Sequence, residues 1–526
     1  MPIHHRITKM KNLELSFYFL CLLSTAYLVY HRGQDISGDF QNYHFYMGYF
    51  LINGRFANDM IAAGILSFLN PTADAVIYLS LTHLPFPLSA WVFLLIQLAS
   101  IPAIVLLAKE IAFALGYQRA FIPAIPAIVL CLLAPLWWAE LGTSFIESWT
   151  APLIIYGVYF LFSAHKGETL SMTRIAIAGV LFGLAVGLKM TNGLFAVSGF
   201  LMLAPLLYRS GFRASLLAVF YFLAGCGVGF LPTAWWNWYL WSEWGSPVFP
   251  FYNAIFKSEF WDFVNFKDEK FYFSSFLEFL TFMVQAAWGT TRTAEVSFAD
   301  ARFLFVIMLM PATILCKPTT RLNRQLMAFM LFMASSFLLW VFMFSIQRYL
   351  VPFELLLGLL LWILVVRIDK RDWLRKSLMI GLCVCAALLI KVPDWGHIPP
   401  MAMGQKNLFP IAMDEQLRAT PARYIVVGPE ISYLLPSLHP DSEFYGLYGA
   451  FIPPKGKATD RVLRKLAEPS ELPLRILFKD KDTDKLADVL QLAGYASLVD
   501  HSLNCTVINL HIICDLPRES LQNPPR

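Results

Sequence analysis

Charge is scarce in this chain: Asp, Glu, Lys and Arg make up only 15% of its 526 residues, while hydrophobic residues make up 57%. Soluble globular domains carry about 25% charged residues, so the scarcity, with a mean hydropathy of +0.57, excludes an ordinary water-soluble protein. Two nucleotide fingerprints are also missing: no Gly-x-Gly-x-x-Gly and no Gly-x-x-x-x-Gly-Lys-Ser/Thr occurs. Those glycines let a backbone cradle phosphates, so neither ATP-driven transport nor cytosolic-type dinucleotide chemistry has support. No basic patch stands out from the net charge of +5, which leaves nucleic acid without a footprint. An internal repeat, the sign of many transporters, is lacking as well.

Cysteine is sparse where it would matter. Of eight, Cys21, Cys131, Cys226, Cys316, Cys383 and Cys385 fall in or at the ends of apolar stretches, as small hydrophobes do. Cys383-Val-Cys385 lacks zinc or redox spacing. Cys505 and Cys514 stand apart from these, and nine residues of extended chain would hold them too far apart to bond. They can pair only if the chain turns between them.

What is present is a series of apolar runs. A helix needs about 20 apolar residues to cross roughly 30 Å of hydrocarbon. Arg6, Lys9 and Lys11 precede the run Leu13 to Tyr30, and no small-residue cleavage site follows it, so it reads as a first span and not a signal peptide. Further windows lie near Leu88 to Leu107, Phe121 to Trp138, Trp149 to Phe162, Ile175 to Leu188, Leu194 to Tyr208 and Leu216 to Trp236. Four more lie near Phe303 to Leu315, Leu326 to Phe344, Leu350 to Val366 and Leu378 to Ile390. The fold class expected is an α-helical polytopic membrane protein of about eleven spans. Ala75 to Leu84 is too short to span alone.

Short loops on the cytoplasmic side should be basic. The alternate loops hold Lys109 and Arg119; Lys166 and Arg174; Arg209 and Arg213; Lys317, Arg321 and Arg324; and Arg367, Lys370, Arg371, Arg375 and Lys376. Ala139 to Ser148, on the other side, holds Glu140 and Glu147 and no Lys or Arg. An inner-membrane protein with a cytoplasmic N-terminus and an outward C-terminus follows. Residues 1–392 form the transmembrane domain, with outward loops 31–74 and 237–302, and residues 393–526 a soluble outward domain. In that domain Tyr424 to Gly428 reads as a strand and turn, Asp460 to Ala467 as a helix and Thr506 to Ile513 as a late strand, a small α/β fold.

Chemistry must then come from groups gathered at the outer face. Asp35, Asp39, Asp59, Asp74, Glu140 and Glu147 lie there, and a low-dielectric boundary raises carboxylate pKa values toward the range of a general base. Asp39 follows a flexible Ser-Gly and precedes an aromatic, amphipathic run from Phe40 to Leu51, which places it at the membrane-water boundary. Arg348 sits in a short outward turn, Gln347-Arg348-Tyr349-Leu-Val-Pro352-Phe-Glu354. A guanidinium beside a bilayer needs a partner, either Glu354, a lipid headgroup or a substrate phosphate. Lys189 and Arg292 are further cations for a phosphate, although Lys189 could equally snorkel. The second outward loop opens on Trp235-Trp-Asn-Trp-Tyr-Leu-Trp241, suited either to anchoring at the headgroup layer or to closing over a lipid-linked substrate.

An acid in the first outward loop, a long aromatic second loop, an Arg-Tyr-x-x-Pro at the start of a late span and an outward C-terminal domain together resemble the polytopic glycosyltransferases of the GT-C fold. The plan is similar to lipid A aminoarabinose transferases and protein O-mannosyltransferases. Asn42-Tyr43-His44-Phe-Tyr, Asn70-Pro71 and Asn253 with its Pro-Val-Phe-Pro-Phe-Tyr lead-in resemble stretches of bacterial membrane proteins grouped with that fold. The resemblance implies a polyprenyl-phosphate sugar donor, a lipid or glycan acceptor, and a first-loop acid as base. That role maps onto Asp39, with Asp35 as the alternate and Glu147 as a second acid. Arg348, Lys189 and Arg292 would hold the donor phosphate, with or without a divalent ion. Asn42, Tyr43, His44, Arg55, Asp59, Asn70, Trp241 and Asn253 would line the substrate loops. A flippase of lipid-linked glycan and a polysaccharide polymerase or ligase are the rival readings.

Overall fold

The computed structural model describes all residues except 1, 167–168, 267, 316–321, 401–413, 449–455, 496–502, 509 and 518–526. Cys316, Lys317 and Arg321 lie outside the described residues. The chain divides into two compact units that interleave in sequence: residues 1–32, 91–234 and 267–395 form the first, and residues 33–90, 235–266 and 396–526 the second.

The first unit is helical. By length and composition, the described residues of the chain hold five helices able to cross a membrane: Asn12–Arg32, Leu88–Ala114, Met190–Leu207, Phe212–Trp244 and Arg324–Met343. A sixth span arises if Gln347–Glu354 and Leu357–Ile368, bent by 55°, act together. The expected count of about eleven is therefore met only in part, because several windows fold as shorter helices: Phe121–Leu132, Ile146–Phe162, Met172–Leu188 and Arg302–Thr313. The Phe121 to Trp138 window breaks after Leu132, and a new helix begins at Pro135, whose fixed φ suits a first helical position.

Close packing in this unit rests on small residues. Gly179 and Gly183 face Gly225 and Gly229: a Cβ on Gly183 would lie 2.0 Å from the Cys226 carbonyl oxygen, and one on Gly229 would lie 2.0 Å from that of Val180. Small residues four apart let helix backbones approach this way, which ties Met172–Leu188 to Phe212–Trp244.

The second unit is built on a five-stranded sheet in the order Glu443–Tyr448, Arg423–Val427, Leu474–Lys479, His511–Leu516, Cys505–Ile508. The first three strands are parallel, and the last two run antiparallel to their neighbours. Helices Lys457–Leu466 and Thr483–Leu492 complete an α/β arrangement. The single late strand expected over Thr506 to Ile513 is instead a hairpin. Its register sets Cys505 opposite Cys514, and the two form a disulfide.

The stretch Phe40 to Leu51 also differs from expectation. It forms a π-helical turn, Phe40–His44, and a helix, Phe45–Ile52, whose Phe45 to Phe50 are all buried. An amphipathic surface helix would leave one face open; here both faces are covered, because Tyr43, Tyr46, Met47, Tyr49 and Phe50 enter the same core as Tyr424, Val426 and Phe444. The chain then runs along the sheet edge. Met60 pairs with Tyr445 in parallel register, its N–H bonding the Phe444 carbonyl at 2.9 Å.

One ion pair fixes that edge. Arg55 grips Asp59 with Nε at 2.9 Å and Nη2 at 2.7 Å. Its Nη1 donates to the Pro440 carbonyl at 2.6 Å, and Nη2 also reaches the Ser442 carbonyl. Asp59 accepts from the Tyr46 hydroxyl at 2.9 Å and the Phe444 N–H at 3.1 Å. Burial pushes the Asp59 carboxyl up to about 6 against the opposing pull of Arg55. Removing one partner of a buried pair leaves an uncompensated charge, costing ~3–5 kcal/mol. Arg55→Ala should therefore destabilise the second unit by that amount, read as early protease cleavage within residues 423–448; an unchanged cleavage pattern would show the pair to be dispensable.

Candidate active site

The first unit brings four chemically active side chains together, each placed at a break in a helix. Glu147 stands in the first turn of Ile146–Phe162. Glu140 closes the short helix before it. Lys189 follows the end of Met172–Leu188, where the backbone turns extended. Arg348 lies in the 3-10 turn Gln347–Leu350.

Lys189 Nζ sits 2.7 Å from Glu147 Oε1, and Arg348 Nε is 3.8 Å from the same oxygen. Arg348 Nη2 also lies 3.6 Å from Glu295 Oε1. Tyr349 offers its ring to both cations, 5.3 Å from Lys189 Nζ and 5.7 Å from Arg348 Cζ, and Phe145 covers the guanidinium at 5.5 Å. Both glutamates are buried, whereas Lys189 and Arg348 keep 15% and 13% of their side-chain surface exposed. The cations therefore form the accessible side of the cluster.

The supports are polar and buried. Gln97 donates Nε2 to the Glu140 carbonyl at 2.7 Å and to Ser148 Oγ at 2.8 Å, and its Oε1 accepts from Gly142 N–H at 2.8 Å. Glu140 Oε2 accepts from Ser148 N–H at 3.0 Å. Burial first, and the Glu147 charge second, push the Glu140 carboxyl well above its usual range, with Lys189 and Arg348 opposing. Burial thus disfavours the Glu140 charge, while Glu147 faces Lys189 and Arg348. Behind Arg348, Gln347 donates its N–H to the Thr293 carbonyl at 2.6 Å and its Nε2 to Glu354 Oε1 at 2.9 Å. Arg302, fully buried, clasps Asp300 at 2.8 and 2.5 Å and approaches Glu354 at 3.8 Å.

Several expected site residues take other roles. Arg348 does not pair with Glu354, which is held by Gln347 and Arg302. Arg292 is committed to Glu278 at 2.5 Å and to the Lys270 and Tyr272 carbonyls, so its guanidinium serves the loop and not a phosphate. In the second unit Arg55 and Asp59 form the structural pair described above. Asn253 is fully buried and closes its own loop through Ser258, Trp261 and Asp262. His44 Nδ1 meets Asp74 at 2.7 Å in the interior, and Tyr43 packs against the His44 ring. Asn42 accepts from Glu430 N–H at 2.6 Å, and Asn70 from Thr72 N–H at 3.0 Å. Trp241 is 58% exposed. Asp35 is buried and folds back to accept from Ser37 N–H at 2.8 Å; Asp39 is half-buried just ahead of the π-helical turn. Sequence reasoning missed Gln347, Tyr349, Glu295 and Arg302 as parts of the cluster or its support. Among the described residues no group of three or more His, Cys, Asp or Glu side chains stands where it could hold a metal ion.

No protein-family model matches the chain, and no curated protein matches it in sequence. Solved structures do match in fold. The ArnT of Cupriavidus metallidurans bound to undecaprenyl phosphate superposes with a TM-score of 0.57 at 12% identity, covering 97% of this chain and 99% of that one. Its apo form gives 0.54 at 12% identity, covering 98% and 100%. The fold is GT-C-like. At that identity the likeness is one of architecture, and it spans the helical and the α/β parts alike.

The cluster makes a contrast between its two acids. Glu140→Gln keeps an acceptor for the Ser148 N–H and removes a carboxyl whose charge burial disfavours, so thermal stability of the purified protein should stay nearly unchanged. Glu147→Gln removes the buried counter-charge that Lys189 meets at 2.7 Å and should cost ~3–5 kcal/mol. Equal melting temperatures for the two variants would refute this contrast between the two acids.

Proposed function

We propose that the chain is an integral-membrane glycosyltransferase that moves a sugar from a polyprenyl-phosphate donor to an acceptor hydroxyl at the outer face of the cytoplasmic membrane. The single observation that carries this reading is the pairing of Lys189 and Arg348 over Glu147, with both cations on the accessible side. A guanidinium and an ammonium held a few ångströms apart can grip a phosphate, and the GT-C-like fold of a protein that binds undecaprenyl phosphate supports that ligand. In this reading the N-terminus is cytoplasmic, the C-terminal part is outward, and the shorter apolar helices complete about eleven crossings.

The reaction is inverting transfer. Asp39 removes the proton of the acceptor hydroxyl as its oxygen bonds to the anomeric carbon, and the bond from that carbon to the phosphate oxygen breaks with its electron pair passing to the phosphate. Arg348 and Lys189 stabilise the charge that develops there. Glu147 keeps the two cations in place before the donor arrives. Asp39 is favoured over Asp35 because the latter is buried and bonded to its own backbone.

Arg348→Lys keeps the charge and loses the bidentate fork. It should weaken undecaprenyl phosphate binding while expression stays near normal, and unaltered binding would reduce Arg348 to a lipid anchor. Asp39→Asn should lower sugar transfer from a polyprenyl-phosphate donor by roughly 10²- to 10⁴-fold with donor binding retained. Asp35→Asn is the control: a larger loss there would move the role to Asp35, and normal turnover in both would sink the first-loop base.

A further inference from the structure

The second unit contains a cleft that the proposed transfer step leaves unused. In the last turns of the Phe212–Trp244 helix two faces diverge. Trp235, Trp238 and Trp241 are 37%, 71% and 58% exposed, as expected of aromatic residues at headgroup depth. Trp236, Tyr239, Glu243 and Trp244 turn the other way and, with Phe56 and Arg461, line a cleft.

The cleft has aromatic walls and a charged pair among its lining. Trp236 and Tyr239 stack at 5.0 Å, and Phe56 meets Tyr239 edge-on at 5.2 Å. Arg461 lies over the Trp244 ring at 4.6 Å and donates Nη2 to Glu243 Oε2 at 2.6 Å. Among the described residues, Glu243 Oε1 and the Tyr239 hydroxyl make no hydrogen bond, and both belong to residues that line the cleft. Asp59 lines it too, its oxygens already taken by Arg55, Tyr46 and Phe444.

This lining discriminates among ligands. A hydrocarbon chain would bury Glu243 and Arg461 away from water with no polar group added. An anion would find both guanidiniums already answered, Arg461 by Glu243 and Arg55 by Asp59. A pyranose lays its C–H faces on aromatic rings, and its hydroxyls, each both donor and acceptor, can donate to Glu243 Oε1 and bond the Tyr239 hydroxyl. We propose that this cleft is a neutral-saccharide subsite for the acceptor glycan. The proposal rests on the glycosyltransferase reading and adds to it the chemical class of the acceptor. The glycan can come from a membrane-anchored headgroup or from solution.

The test uses full-length protein in phosphatidylcholine nanodiscs with no donor present. Saturation-transfer NMR is recorded with lactose, maltose and cellobiose, with lactose phosphate, and with a lactosyl lipid placed in the disc. At least one neutral disaccharide should receive saturation on its ring C–H protons, and lactose phosphate should bind no more tightly than lactose. Glu243→Gln and Tyr239→Phe, both conservative in size, should each weaken the binding at least fivefold. Tenfold tighter binding of the lactosyl lipid assigns the site to an anchored glycan; equal binding assigns it to a free one. No saturation with any neutral probe, unchanged binding in both variants, or tighter binding of the phosphate ester overturns the proposal. Undecaprenyl phosphate binding, measured on the same preparations, should be identical in wild type and both variants. Loss of donor binding by Arg348→Lys with sugar binding intact, or the converse, separates the failure of one reading from that of the other.

Discussion

Charge in a low-dielectric setting has to be answered by opposite charge, and the helical unit is arranged around that demand. Moving an ion out of water costs several kcal/mol even after relaxation, so a lysine and an arginine beside a membrane cannot stand alone. Glu147 answers both Lys189 and Arg348, and burial with the neighbouring Glu147 charge pushes the Glu140 carboxyl behind it well above its usual range. The result is a cationic surface over an anionic floor.

The same demand explains the second buried network. Arg302, Asp300, Glu354 and Gln347 bond one another at the bend between Gln347–Glu354 and Leu357–Ile368. Gln347 precedes Arg348 in the chain, so the network fixes the turn that carries the guanidinium. The position of Arg348 thus depends on buried polar groups next to it in the chain.

Much of this was legible in the sequence. Composition gave the membrane class, and Arg348, Lys189 and Glu147 could be named because a charge next to an apolar run is conspicuous. Their mutual approach could not be read, since it depends on three helix breaks meeting in space. Arg55, Asp59 and Asn253 looked like substrate groups because polar residues in aromatic loops draw attention. Their partners, the Pro440 and Ser442 carbonyls for one pair and Trp261 for the other, lie in contacts that composition does not reveal. The burial of Phe40 to Leu51 was missed for a related reason: an aromatic run suits a membrane surface and a protein core equally. The hairpin at Cys505 and Cys514 shows that a continuous apolar run can hide a turn.

The interleaving of the two units has a practical corollary for anyone dissecting the protein. A fragment beginning near residue 393 carries all five strands, yet it lacks Met60, which pairs along the Glu443–Tyr448 edge, and the aromatic side chains of residues 43–50 that fill the core beneath. Released in that form, the sheet would present an open parallel edge and an uncovered hydrophobic face, the two features that invite self-association. A soluble piece would have to be a chimera that splices residues 33–90 and 235–266 back onto the C-terminal segment, with linkers standing in for the helices that now separate them.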